Sequence, residues 1–179
     1  MAPFSQTMTA PKCTPLAAVG SGLVAGVIGT VAMTGWQELS SRMRAAGEES
    51  AEGGGGQEPQ DPWEQASAPA KVARRVIEGL FEGEAPPEWI PALTHGTHWA
   101  YGTAWGAAYG LLQGSRPGSL RAGLAFGTGV WAMSYAQMVP MGLYEPPWRY
   151  PPGELMMDLS YHLVYGAGVA AGYALLDRV

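Results

Sequence analysis

Apolar and polar positions divide the chain into four charge-free apolar runs and one long polar interruption. The runs are Leu16 to Gln37, Leu93 to Leu112, Ala122 to Leu143 and Leu159 to Leu176. A helix needs about 20 apolar residues to cross the hydrocarbon core of a bilayer, and each run is close to that length. Within the runs, small and polar residues recur every four positions, which on a helix makes one slowly drifting stripe. The first stripe is Gly22, Gly26, Thr30, Thr34 and Glu38, and the second is His98, Gly102, Gly106 and Gly110. The third run carries Gly123 and Gly127. The last stripe opens before its run, with Glu154, Asp158, His162, Gly166 and Ala170. Small residues let membrane helices approach closely, and ionisable groups in apolar helices are costly unless turned inward. The expected fold is therefore all-α: an integral membrane bundle of four transmembrane helices, packed through Gly22, Gly26, Gly102, Gly106, Gly110, Gly123, Gly127 and Gly166.

The remaining segments are read around these spans. Residues 1–14 form a polar arm, and residues 15–44 contain the first span, read as a membrane helix rather than a cleaved signal. Residues 45–68 carry Gly53 to Gly56 and the acids Glu48, Glu49, Glu52, Glu58, Asp61 and Glu64, with no lysine or arginine. Such a segment lacks the apolar area to pack and is expected to be a disordered linker. Residues 69–92 follow as an amphipathic helix and a Pro-rich loop. Ser67 stands at the capping position and Pro69 in the first turn. Val72, Val76, Ile77, Leu80 and Phe81 share one face, so the helix either rests on the membrane surface or covers the end of the bundle. Residues 93–179 supply the other three spans. Between the last two lies an aromatic, Pro-rich loop with Trp148 and Tyr150 as interfacial anchors.

Composition agrees with this class. Charged residues are only 14% of the 179, and the net charge of -5 comes mostly from the acidic segment. No basic patch with interleaved aromatics supports nucleic-acid binding. Cys13 is the only cysteine, so no disulfide can form within the chain.

The second and fourth spans also resemble each other. Residues 98–112 align without gaps to 162–176, with seven identities: His98/His162, Tyr101/Tyr165, Gly102/Gly166, Ala107/Ala171, Tyr109/Tyr173, Leu111/Leu175 and Leu112/Leu176. Spans one and three echo each other more weakly. The pattern points to two tandem helical hairpins, with His98 and His162 as mates.

Alternating spans bring Glu38, His95, His98, Glu145, Glu154, Asp158 and His162 to one side of the bundle. The proposed polar cluster is Glu38, His98, Glu154, Asp158 and His162. His95 lies off the His98 stripe and nearest the water. His98, Asp158 and His162 could together hold a divalent transition metal. The cluster could equally pass a proton, ion or small solute, or serve only to orient side chains at the interface. Three functions follow: a membrane protein that binds or passes a proton, ion or solute, a metal-dependent membrane enzyme or redox component, and an accessory subunit packing through Gly-rich faces. No P-loop, nucleophile elbow or dinucleotide fingerprint is present.

The run Pro140-Met141-Gly142-Leu143, then Pro146-Pro147, then Glu154, Asp158 and His162-Leu163-Val164, resembles the second half of the YagU-like family of uncharacterised bacterial inner-membrane proteins. Thr97-His98, Tyr109 and Glu38 are similar to that family as well. Where the family carries Glu four positions before the histidine, this chain has Asp158. The resemblance implies a small multi-pass protein of the bacterial cytoplasmic membrane and lends weight to Glu38, His98, Glu154, Asp158 and His162 as one set. The expected partners are the lipid bilayer and other membrane subunits, or further copies of this chain.

Overall fold

The fold is seen in a computed structural model, which describes residues 14–48, 61–81, 83–114, 116 and 118–176. Among them the secondary structure is entirely helical. The helices are α1 (Pro15–Glu48), α2 (Ala68–Phe81), α3 (Ile90–Gln113), α4 (Leu120–Met138) and α5 (Pro152–Leu176). Short 3₁₀ turns at Pro87–Trp89 and Pro147–Arg149 lead into α3 and α5.

Local chemistry sets the boundaries. Thr14 Oγ1 accepts the Ala17 N–H, and Ser119 Oγ accepts the Ala122 N–H, so α1 and α4 start on hydroxyl caps. The expected third span ran to Leu143, whereas regular helix stops at Met138. Pro140 has no N–H to continue the ladder. The chain closes instead with Leu143 N–H on Met138 O and Gly142 N–H on Val139 O. Gly142 sits at φ 65° in this closure, a conformation that glycine adopts at little cost.

Helices α1 and α3 run antiparallel in backbone contact. A Cβ on Gly106 would overlap Gly26 Cα and Gly22 O, and one on Gly22 would overlap Gly106 O. Helices α4 and α5 meet in the same way, with Gly166 against Gly123 and Gly127. Helix α1 also packs on α5, where Gly168 faces Gly29 and Gly172 faces Ala25 and Ile28. Every glycine assigned to packing from the sequence thus lies against a neighbouring helix. Near one end, α1 and α5 are also tied by polar bonds. Trp36 Nε1–H donates to Ser160 Oγ at 2.9 Å, and Arg44 Nη2–H donates to Tyr161 OH at 2.7 Å.

The fourth side of the bundle is different, because α3 and α4 do not pack backbone to backbone. In the repeat alignment Trp105 stands where α5 has Val169, and Ala104 and Ala108 stand where it has Gly168 and Gly172. The bulk that α5 lacks toward α1 is present on α3 toward α4. Trp105 meets Phe126 edge-on at 6.0 Å, and Tyr109 meets Phe126 at 4.9 Å, so aromatic rings span this side.

Helix α2 lies on α3. Trp63, Ala66, Ala70 and Ala85 are buried there beside Ile90 and Leu93. Residues 61–67 fall within the stretch expected to be disordered linker, yet they form an ordered turn. Trp63 is only 5% exposed, and Arg74 lies over its ring at 4.8 Å. An aromatic this large buries enough apolar area to order a short polar segment. Residues 45–48, also assigned to that linker, continue α1 as helix, while 49–60 lie outside the described residues, as does most of the 1–14 arm. Hydrogen bonding from Arg74, and then from the Ala85 N–H, holds the Glu78 carboxyl below the usual glutamate range. Arg75 reaches across to Met141 O, so α2 bridges α3 and the end of α4.

Helices α1 (over Pro15–Ala46) and α5 (Pro152–Leu176) are long and apolar enough to cross a membrane. Helices α3 and α4 are less apolar along their length. Their glycines, aromatics, His95, His98 and Gln137 dilute the aliphatic content.

Candidate functional site

Holding α3 and α4 apart leaves a cavity of about 580 Å³ at the α2 end of the bundle. Each wall is one helical face. Helix α1 supplies Thr30, Met33, Thr34 and Gln37, and α4 supplies Val130, Ser134, Gln137 and Met138. Helix α5 gives Asp158, His162 and Tyr165, while α3 gives Thr94, His95, Thr97, His98, Tyr101, Gly102 and Trp105. These are the i, i+3, i+4 and i+7 positions that a helix brings to one side. The start of α2, from Ser67 to Val72, crosses the outer end, and Met141 and Tyr144 complete the rim. Ser67 had been placed as a helix cap, and its hydroxyl is 2.8 Å from Thr94 Oγ1, which docks α2 on α3. Past Trp105 and Tyr165 the interior is filled by Tyr109, Phe126, Val169 and Tyr173, so the cavity closes inside the bundle.

Asp158 is held from α4. Its Oδ2 accepts Trp131 Nε1–H at 2.9 Å and Tyr135 O–H at 3.1 Å. His162 Nδ1 lies 2.9 Å from the Asp158 carbonyl oxygen and 3.8 Å from Asp158 Oδ1. A carbonyl only accepts, so Nδ1 carries the proton in that bond. His98 Nε2 and Thr34 Oγ1 are buried with no hydrogen-bond partner among the described residues. Tyr165 O–H donates to Gly102 O at 2.6 Å, and Tyr101 O–H donates to Gln137 Oε1 at 3.0 Å. At the rim, burial pushes the Tyr144 phenol up to about 12, and the Asp158 charge adds to the shift. Tyr144 is therefore a neutral donor.

Of the five residues in the proposed cluster, His98, Asp158 and His162 share the cavity, while Glu38 and Glu154 stand outside its lining. Glu38 bonds Arg42 at 2.9 Å, with its side chain 61% exposed. Four residues cover 400° of helix, so a four-residue stripe turns by about 40° per step. Thr30 and Thr34 still face inward, and one step later Glu38 has rotated out. Glu154 is exposed in the first turn of α5. His95, which the stripe left aside, does line the cavity at its outer end. Among the described residues no three His, Cys, Asp or Glu side chains come together as a metal-ligand set. Trp131 and Tyr135, which hold Asp158, are neighbours of the cluster that the stripes do not show. Their signal is the polar handle on each aromatic, which needs a partner when buried.

No protein-family model, curated protein or solved structure matches the chain.

Proposed function

We propose that this is a four-span membrane protein of the bacterial cytoplasmic membrane that binds a small solute in the cavity between α3 and α4. The observation that carries the reading is the cavity itself. At about 580 Å³ it has the size and the largely apolar lining of a small-molecule site, with a few converging polar groups. The buried His98 Nε2 and Thr34 Oγ1 lack partners among the described residues, and buried polar atoms in folded proteins are nearly always paired. A bound molecule or water supplies what the walls do not.

Packing supports the four-span topology. The Gly22 and Gly26 contacts hold α3 alongside the apolar part of α1, and the Gly123 and Gly127 contacts hold α4 alongside α5. If α1 and α5 cross a bilayer, their partners lie at the same depth. Leu111, Leu112, Leu124 and Met133 of α3 and α4 point outward, as they would toward lipid. Binding is favoured over passage, because Tyr109, Phe126 and Tyr173 fill the interior beyond the cavity.

The test is retention of small molecules by the purified full-length protein. Molecules released on denaturation should be fewer from Ser134→Phe, whose ring enters the cavity, with the melting temperature nearly unchanged. Identical release from both proteins, or release no greater than that of a detergent blank, would refute the binding role.

A further inference from the structure

The charge on the cavity walls narrows the class of solute. We infer that the occupant is a lipophilic organic cation, a positive charge carried on a bulky apolar body. The inference rests on the binding role proposed above. Every helix packed around the cavity contributes to the census. The walls carry one carboxylate, Asp158, three histidines, His95, His98 and His162, and neither lysine nor arginine. Asp158 Oδ2 is occupied by Trp131 and Tyr135, whereas Oδ1 accepts no hydrogen bond among the described residues. Its nearest cationic candidate is His162 Nδ1 at 3.8 Å, and that nitrogen already donates to the Asp158 carbonyl oxygen. The Asp158 side chain is 30% exposed, so an occupant would displace the water that reaches it, and the walls supply no lysine or arginine to take that water's place.

The rest of the surface suits such a partner. Tyr101, Trp105, Tyr144 and Tyr165 surround the same space, and aromatic faces attract organic cations. Met33 and Met138 add polarisable thioethers that adapt to a ligand's shape. An anion would meet Asp158 with no lysine or arginine to offset it. A neutral molecule would fill the volume and leave the carboxylate uncompensated.

Tetraphenylphosphonium and tetraphenylborate share nearly one shape and carry opposite charge. Titrated into the full-length protein in nanodiscs and followed by tryptophan fluorescence, the cation should bind and the anion should not. Neutral triphenylphosphine oxide should bind more weakly than the cation. Asp158→Asn removes the charge but keeps an acceptor for Trp131 and Tyr135, so the fold should survive. It should weaken the cation by about tenfold or more, a change of about 1.4 kcal/mol per tenfold, and leave the phosphine oxide unchanged. Equal binding of all three probes, or an unchanged cation affinity in Asp158→Asn, overturns the cation assignment while leaving a binding cavity. If none of the three binds, the assignment fails. Should Ser134→Phe also release the same molecules as the parent protein, the binding role fails with it.

Discussion

Asp158 has two duties that can be separated. It ties α4 to α5 by accepting from Trp131 and Tyr135, and it brings a single negative charge to the cavity. Asp158→Ala strands both donors, and a buried group left unsatisfied costs about 1–3 kcal/mol. Asp158→Asn should melt within about 1 kcal/mol of the parent, because the side-chain oxygen is retained. Removing the indole donor as well, in Asp158→Ala with Trp131→Phe, should recover part of the loss. Thermal melts in detergent of these variants check the point. A fully additive double mutant would mean that the bond does not support the fold. The Asp158–His162 neighbourhood was legible from the sequence, since i, i+4 residues always share a helix face. Trp131 and Tyr135 were not, because they lie 27 and 23 positions away and reach Asp158 only once α4 has packed on α5. Glu38 misled for a related reason: the drift of about 40° per step accumulates along the stripe, and its last member has turned out to solvent.

At the scale of whole helices, glycine decides which faces touch. Gly106 sits against Gly22 and Gly26 with no room for a side chain, whereas Leu111 on the same helix is 57% exposed. Gly106→Leu must push α1 and α3 apart, and overpacking of this kind costs about 1–3 kcal/mol or more. Leu111→Ala removes a side chain that touches little protein and should leave the detergent melt nearly unchanged. Equal melts for the two variants would contradict the packing described here. The glycine periodicity made these contacts readable in advance, and the Tyr101/Tyr165 and His98/His162 pairs marked the two helices that share them. The unequal fourth side was harder to see. It depends on Trp105 standing where α5 has Val169, a difference that matters only once both faces are known to point at a neighbour. Helix α2 was read correctly as amphipathic. Its docking through Trp63 was missed, because one aromatic residue lay inside an otherwise acidic, Gly-rich stretch.

The molecule as a whole concentrates its polar chemistry at one end. That end holds the cavity, α2, the Arg42, Arg44 and Arg149 side chains, and the exposed Trp89 and Trp148. Helix α1, at 34 residues, rises about 51 Å, well beyond a hydrocarbon core of about 30 Å. Its last turns therefore project on the same side, where Arg44 reaches Tyr161. An arrangement with four crossings places Glu64 and Arg149 on that side and Arg116 on the other. With only α1 and α5 crossing, α3 would have to leave the bilayer, yet its contacts from Gly102 to Gly110 follow α1 from Gly26 back to Ala18. Single cysteines introduced at 64, 116 and 149 in a Cys13→Ser background give a direct reading with a membrane-impermeant thiol reagent on intact cells and inverted vesicles. Positions 64 and 149 should label together in one preparation, and position 116 should label in the other. Labelling of 116 together with 149 would leave α4 without a crossing and sink the four-span arrangement, whatever the cavity binds.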